Sequence, residues 1–163
     1  MGRPKLVIFE GGDGTGKTTL FQGIRRLTNY QPLCIERFTG SNWVYDQVRW
    51  GRGKDLSRYF QQEKELREIY DVYLILLEVN NTEVLKERIA KKHKGEDLGV
   101  AQALAINTRE IFAEYAEKTK FSLVSLDTHN FGIEKCLGII LNFIGEVAHH
   151  DDIRSVAKEV SND

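Results

Sequence analysis

A run of eight residues, Gly11-Gly-Asp-Gly-Thr-Gly-Lys-Thr18, constrains this chain more than any other feature of its sequence. It satisfies the pattern G-x-x-x-x-G-K-[ST], in which successive backbone N–H groups turn toward one anion. A short apolar segment, Lys5–Glu10, predicts a buried strand before it. Apolar residues spaced by three and four predict a helix over Lys17–Asn29 after it. The sequence therefore predicts a strand, a phosphate-binding P-loop and a helix, in that order.

The P-loop pattern assigns chemistry to its residues. The loop backbone and Lys17 are expected to bind the phosphates of a nucleotide donor, ATP, and the Thr18 hydroxyl is a candidate ligand for Mg²⁺. Glu36, at the end of the next predicted strand, is the second candidate magnesium ligand, directly or through water. The residues expected to bind the donor are Gly12, Asp13, Gly14, Thr15, Gly16, Lys17, Thr18 and Thr19.

Strand and helix patterns alternate along the rest of the chain. Apolar runs predict further buried strands at Pro32–Phe38, Asp71–Val79 and Phe121–Leu126. Helices are predicted over Leu56–Ile69, Thr82–His93, Val100–Lys118 and Leu137–Val147, and a turn over Thr39–Asn42. This alternation is typical of an α/β fold, here a P-loop NTPase three-layer sandwich with a mainly parallel sheet flanked by helices.

Composition excludes several classes of protein. The 163 residues carry 23 basic and 24 acidic side chains, so the net charge of −1 is unlike that of a generic polyanion binder. No apolar run approaches the roughly 20 residues that a membrane-spanning helix needs. No leader pattern precedes the first strand, so we expect a cytoplasmic protein without a membrane partner. Cys34 and Cys136 lie in apolar surroundings and are expected to be buried core thiols.

A P-loop by itself does not distinguish a kinase from a GTPase, a motor ATPase or a nucleotide-binding module. The sequence lacks the N-K-x-D motif that recognises guanine in GTPases. It also lacks a run of four apolar residues followed by an acidic pair, a pattern typical of large ATPases. These absences favour a small acceptor kinase. In a parallel sheet the ligand site lies at the carboxyl ends of the strands, where Glu10 and Glu36 are predicted.

Two segments resemble the thymidylate kinases. Phe9–Leu20 resembles their F-E-G-x-D-G-x-G-K-[ST]-T signature, and Glu36–Tyr45 resembles their D-R-[YFH]-x-x-S-x-x-A-Y segment. Residues 71–126 also resemble the later half of the family, so most of the chain takes part in the resemblance. It implies that the P-loop aspartate contacts the sugar hydroxyl of the acceptor. The residues that it places at the acceptor are Asp13, Arg37, Ser41 and Tyr45.

Three departures from the family pattern bear on the acceptor. The chain lacks the strand and helices that carry the family's R-E-P segment, which leaves room for a larger acceptor. Glu36 replaces the family's aspartate and is one methylene longer, which favours contact with Mg²⁺ through water. The expected lid, near residues 91–99, contains lysines but no arginine. The side chains left to compensate phosphate charge are Arg88, Lys92, Lys94 and Arg109.

The predicted function is thymidylate kinase-like, ATP- and Mg²⁺-dependent phosphoryl transfer to a deoxynucleotide, from dNMP to dNDP. The predicted catalytic residues are Lys17, Arg37, Asp13 and Glu36. Two alternatives stay open: transfer to a hydroxyl on a nucleoside or on a hydroxymethyl pyrimidine in DNA, and a non-catalytic nucleotide-binding module. Residues 1–148 are predicted to form a single P-loop kinase domain, monomeric or homodimeric, and residues 149–163 a frayed polar tail.

Several of these side chains also fit ordinary structural roles. Glu36 and Arg37 could instead form a strand-end ion pair, and Asp13 could stabilise a turn. A further segment interleaves aromatic and basic residues beside the expected acceptor side, as a stacking surface for a nucleobase or single strand or as half-buried packing. Its residues are Tyr45, Arg49, Trp50, Arg52 and Lys54.

Overall fold

A computed structural model describes residues 2–52, 55, 57–95 and 97–163 of the chain. Its elements, in chain order, are β1 (Lys5–Glu10), α1 (Lys17–Leu27), β2 (Leu33–Glu36), α2 (Thr39–Trp50), α3 (Ser57–Ile69), β3 (Asp71–Glu78), α4 (Thr82–Lys92), α5 (Leu98–Lys118), β4 (Ser122–Asp127), α6 (Ile133–Ile144) and α7 (His150–Ser161). Leu56, the predicted start of a helix, Lys54 of the aromatic and basic segment, and position 96 of the expected lid lie outside the described residues.

Within the described part of the chain, the four strands form one parallel sheet in the order β2-β1-β3-β4. Phe9 is in register with Glu36, and Glu10 with Leu76. Because every strand runs in the same direction, their carboxyl ends meet at one edge of the sheet. The P-loop follows β1 at that edge, beside the end of β2. The predicted α/β fold with a mainly parallel sheet is confirmed.

Helices cover both faces of the sheet, which is why the strands are apolar on both sides. Leu6 and Ile8 of β1 pack on one face with α2, α3 and α5. Val7 and Phe9 pack on the other face with α1, α6 and α7. The alternation of β1 side chains between two cores gives the three layers that the sequence predicts. None of the helices among the described residues combines the length and apolarity needed to cross a bilayer.

Three expectations about local structure are wrong, and the loop expected near residues 91–99 is shorter than predicted. The predicted turn at Thr39–Asn42 is the first turn of α2, and the polar tail expected to be frayed is helix α7, which buries Ala157 and Val160. The expected lid is short, because α4 continues through Lys92 and α5 begins at Leu98. Cys34 is only half-buried, because β2 is an edge strand, whereas Cys136 is buried as predicted.

Candidate active site

The loop between β1 and α1 has the backbone of a phosphate-binding loop. Gly11, Gly14 and Gly16 all have positive φ angles, of 139°, 78° and 85°. A Cβ at Gly11 would lie 2.3 Å from the carbonyl oxygen of Leu77, so β3 leaves room for glycine alone. No described side chain caps the first turn of α1. The backbone N–H groups at this helix N-terminus are therefore available to an anion.

Lys17 lies against the loop that it is expected to serve. Its Nζ donates to the carbonyl oxygen of Gly12 at 2.9 Å, and the hydroxyl of Thr15 donates to the same oxygen at 2.8 Å. Burial, followed by the positive charge of Arg37, lowers the pKa of Lys17 to about 8. A phosphate that displaced the Gly12 carbonyl would offer this ammonium group a stronger, charged acceptor.

The two predicted magnesium ligands are in direct contact. The Thr18 hydroxyl donates to Oε1 of Glu36 at 2.9 Å, at the junction of α1 and β2. Among the described residues, no three His, Cys, Asp or Glu side chains cluster as a metal site. One hydroxyl and one carboxylate nevertheless fit Mg²⁺, which takes few protein oxygens and completes its coordination with phosphate and water.

Arg37 brings the expected acceptor residues Asp13 and Tyr45 together. Its NH2 group donates to Oδ1 of Asp13 at 2.8 Å, and its NH1 group donates to the Tyr45 hydroxyl at 3.2 Å. The guanidinium also lies 5.5 Å from the centre of the Tyr45 ring. Arg37 is an ion-pair partner, as in the structural alternative, but its partner is the P-loop aspartate and not Glu36.

Ser41 does not join this group. The side chain is only 4% exposed, and its hydroxyl donates to the carboxylate of Glu10. The α2 helix that replaces the predicted turn directs Ser41 inward, so the structure does not place it at the acceptor side. Glu10 is fully buried and binds this helix start, a role that its position at a strand end did not reveal.

A cleft of about 710 Å³ lies beside the P-loop. Arg88 of α4 lines it and donates to the carbonyl oxygen of Gly14 at 3.2 Å and to the hydroxyl of Thr128 at 2.8 Å. Thr128 in turn donates to the carbonyl oxygen of Thr15 at 2.8 Å. The wall of the cleft also includes Ser161 of α7. Sequence reasoning missed Thr128 and this wall, because both come from segments without a motif.

Only some of the other cations expected to compensate phosphate charge lie at the cleft. Lys92 lines the cleft, whereas the exposed Lys94 is not among its lining residues. Arg109 is occupied elsewhere, because it donates to the carbonyl oxygens of Val79 and Asn80 at 3.1 and 3.0 Å. Arg88 is therefore the described arginine of this group that lies at the P-loop cleft.

The aromatic and basic segment makes contacts within itself and with α5 near the end of α2. The Arg49 guanidinium lies 6.0 Å from the Trp50 ring, which is 60% exposed. Arg52 pairs with Glu114 of α5.

On the α5 side of the P-loop, the enclosed space between Gly12 and Arg109 is about 10 Å³. A space of that size holds about one water molecule and no nucleobase.

No protein-family model and no curated protein sequence matches this chain. Among solved structures, the chain is similar to the YorR protein of Bacillus subtilis, crystallised in complex with phosphorylated GDP. The two share 16% sequence identity and a TM-score of 0.63, over 86% of this chain and 95% of YorR. At that identity the likeness establishes a shared fold.

Proposed function

We propose that this chain is a P-loop phosphotransferase that moves the γ-phosphoryl group of ATP, in the presence of Mg²⁺, to a deoxynucleotide. The observation that carries the proposal is the convergence of Lys17, the Thr18–Glu36 pair and the Asp13–Arg37 pair at one edge of the sheet. The phosphorylated guanine nucleotide bound to YorR supports a nucleotide as the ligand of this fold.

Phosphoryl transfer requires mainly positioning and compensation of charge. Loop amides and Lys17 would hold the β- and γ-phosphates, while Thr18 and Glu36 would hold Mg²⁺, which neutralises phosphate charge when bound. Arg37 would stabilise negative charge at the transferring group, and Asp13 would orient the acceptor. An acceptor oxygen forms a bond to the γ-phosphorus as the bond to the β–γ bridging oxygen breaks, and ADP leaves.

A hydroxyl acceptor on a nucleoside or on a hydroxymethyl pyrimidine in DNA is the second candidate. The small enclosed space beside Gly12 favours an acceptor that approaches from the open side of the Asp13–Arg37 pair. The exposed Trp50 and its neighbour Arg49, both on α2, are two side chains that could stack on a base or a single strand.

The decisive experiment supplies γ-labelled ATP and Mg²⁺ with dNMPs, nucleosides, and DNA containing thymine or hydroxymethylated thymine. Label on a free monophosphate supports the first candidate, and label on DNA or a nucleoside supports the second. Lys17→Ala is expected to abolish transfer, and Asp13→Ala at pH 7 to impair acceptor use more than donor affinity. If the wild-type protein binds ATP but transfers label to none of these acceptors, the chain is a nucleotide-binding module and the proposal is wrong.

A further inference from the structure

Strand β1 ends in a carboxylate that is sealed from solvent. Glu10 is 0% exposed, and its Oε1 accepts the backbone N–H of Phe38 at 2.7 Å and that of Ser41 at 3.1 Å. Its other oxygen accepts the Ser41 hydroxyl. Burial raises the pKa of Glu10, and the Ser41 and Phe38 donors oppose that rise. A carboxyl group without exposed surface cannot contact a substrate, so any effect on chemistry must pass through the residues it binds.

Glu10 binds two residues of the segment after Arg37, namely Phe38 and Ser41, and Arg37 itself has an unusual backbone conformation. Arg37 has a φ angle of +61°, a region that residues with a Cβ adopt only when their surroundings hold them there. Its N–H donates to the carbonyl oxygen of Phe9 at 2.9 Å, so β1 fixes the residue from one side. The Glu10 bonds to Phe38 and Ser41 fix the chain immediately after it. From this backbone the Arg37 guanidinium reaches Asp13.

A second buried glutamate, Glu63, holds the other side of the turn formed by residues 37–41. The position of this turn therefore depends on several segments of the chain. The Thr39 hydroxyl donates to the buried Glu63 of α3 at 3.0 Å, and Glu63 also accepts the Tyr115 hydroxyl at 2.5 Å. A Cβ added at Gly40 would lie 2.6 Å from the Tyr115 ring. Glu63 binds only a side chain of the turn, whereas Glu10 satisfies its backbone N–H groups. Loss of Glu10 would therefore leave buried donors unpaired and release the turn.

We propose that Glu10 is a positioning residue of the transfer site: its carboxylate fixes the Arg37–Ser41 turn and thereby keeps the Arg37 guanidinium on Asp13. This inference rests on the proposed function, because Arg37 and Asp13 are the pair assigned to the acceptor side. It assigns Ser41 to this buried network, in place of the acceptor contact that the sequence suggested.

The test compares Glu10→Ala with Glu10→Gln. A glutamine can accept both N–H groups with its amide oxygen and donate to the Ser41 hydroxyl, so it is expected to retain activity within about threefold of wild type. Glu10→Ala is expected to lower kcat about 10- to 100-fold and to raise the acceptor KM, without changing the affinity for an ATP analogue. Thr28→Val removes a similarly buried hydroxyl bond at the end of α1 and is expected to leave both constants unchanged.

Three results would overturn the inference. Equal inactivation of Glu10→Gln and Glu10→Ala would indicate a direct role for the carboxylate, and a folded Glu10→Ala protein with wild-type kcat would indicate a purely structural one. The third is hydrogen exchange over residues 37–42 that is no faster in Glu10→Ala than in wild type.

The exchange measurement does not depend on catalysis. If wild-type protein transfers no phosphoryl group, the proposed function fails, while exchange over residues 37–42 still decides whether Glu10 fixes the turn. If Glu10→Ala does not fold, Ser41→Ala removes the hydroxyl bond alone. That variant is expected to exchange faster over the same segment, and unchanged exchange would overturn the inference.

Discussion

The affinity for ATP should fall as the pH rises from 7 to 9, because Lys17 loses its proton within this range. Burial and the charge of Arg37 lower its pKa to about 8 in the free protein, so about 90% of the side chains are charged at pH 7 and about 10% at pH 9. Bound phosphate favours the charged form and raises the pKa again, so binding above pH 8 must take up a proton. The expected loss is about tenfold in affinity, or about 1.4 kcal/mol.

Isothermal titration with Mg²⁺ and a non-hydrolysable ATP analogue measures this effect without turnover. Experiments at pH 7, 8 and 9, each in buffers of different ionisation enthalpy, give both the affinity and the number of protons taken up. Lys17→Arg is the matched control, because a guanidinium stays charged over the whole range and should remove the pH dependence. An affinity that is flat in the wild type, or that falls equally in Lys17→Arg, would refute the reasoning.

Three further substitutions test the cleft and the packing beneath it. Thr128→Val keeps the shape of the side chain but removes the hydrogen bonds that join Arg88 to the P-loop. Urea unfolding should show a free energy of unfolding lower by about 1–3 kcal/mol, and the affinity for the ATP analogue should fall. Unchanged stability would contradict this prediction. Ser161→Trp should obstruct the cleft and weaken binding of the ATP analogue, whereas Ser155→Trp, exposed on the same helix, should not; equal effects would exclude α7 as a wall. Gly40→Ala should lower the free energy of unfolding by about 1–3 kcal/mol, because the added methyl group overpacks against Tyr115. The control, Gly138→Ala, has open space around it and should raise the free energy of unfolding by up to about 1 kcal/mol. Thermal unfolding that finds Gly40→Ala the more stable of the two variants would contradict the packing.

The parts of the fold that local sequence determines were predictable. Apolar runs buried on both faces identify β1 and β3, and the P-loop needs only its own eight residues and the two elements beside it. Helix α7 also left a local signal, because Ile153, Ala157 and Val160 are spaced at helical intervals on one face. That spacing is easily missed in a segment that is otherwise polar.

The start of α2 could not be predicted in the same way. Gly40 and Ser41 are residues typical of turns, and the helix forms there because Glu10 and Glu63, from distant parts of the chain, bind its first residues. The position of Arg109 has a similar origin, since its partners lie in the loop between β3 and α4. Such contacts are tertiary, and no periodicity or motif within one segment encodes them.

Electrostatic interactions connect Lys17, on the donor side of the candidate site, with Asp13 and Arg37, on the acceptor side. Burial lowers the pKa of Lys17 most, the Arg37 charge lowers it further, and the Asp13 carboxylate raises it. Asp13 also neutralises Arg37 through their 2.8 Å ion pair. Removal of the Asp13 charge should therefore lower the pKa of Lys17 below about 8, although we propose a donor role for Lys17 and an acceptor role for Asp13.

In Asp13→Asn, the pH at which affinity for the ATP analogue begins to fall should move below the wild-type value, while affinity at pH 6.5 stays close to wild type. Glu83→Gln, which removes an exposed carboxylate paired with Lys86 on α4, controls for the loss of one negative charge and should leave the profile in place. A profile that shifts equally in both variants reflects net charge alone. A profile that does not shift in Asp13→Asn would contradict the prediction, because it would show that the Asp13 carboxylate does not help to hold the proton on Lys17.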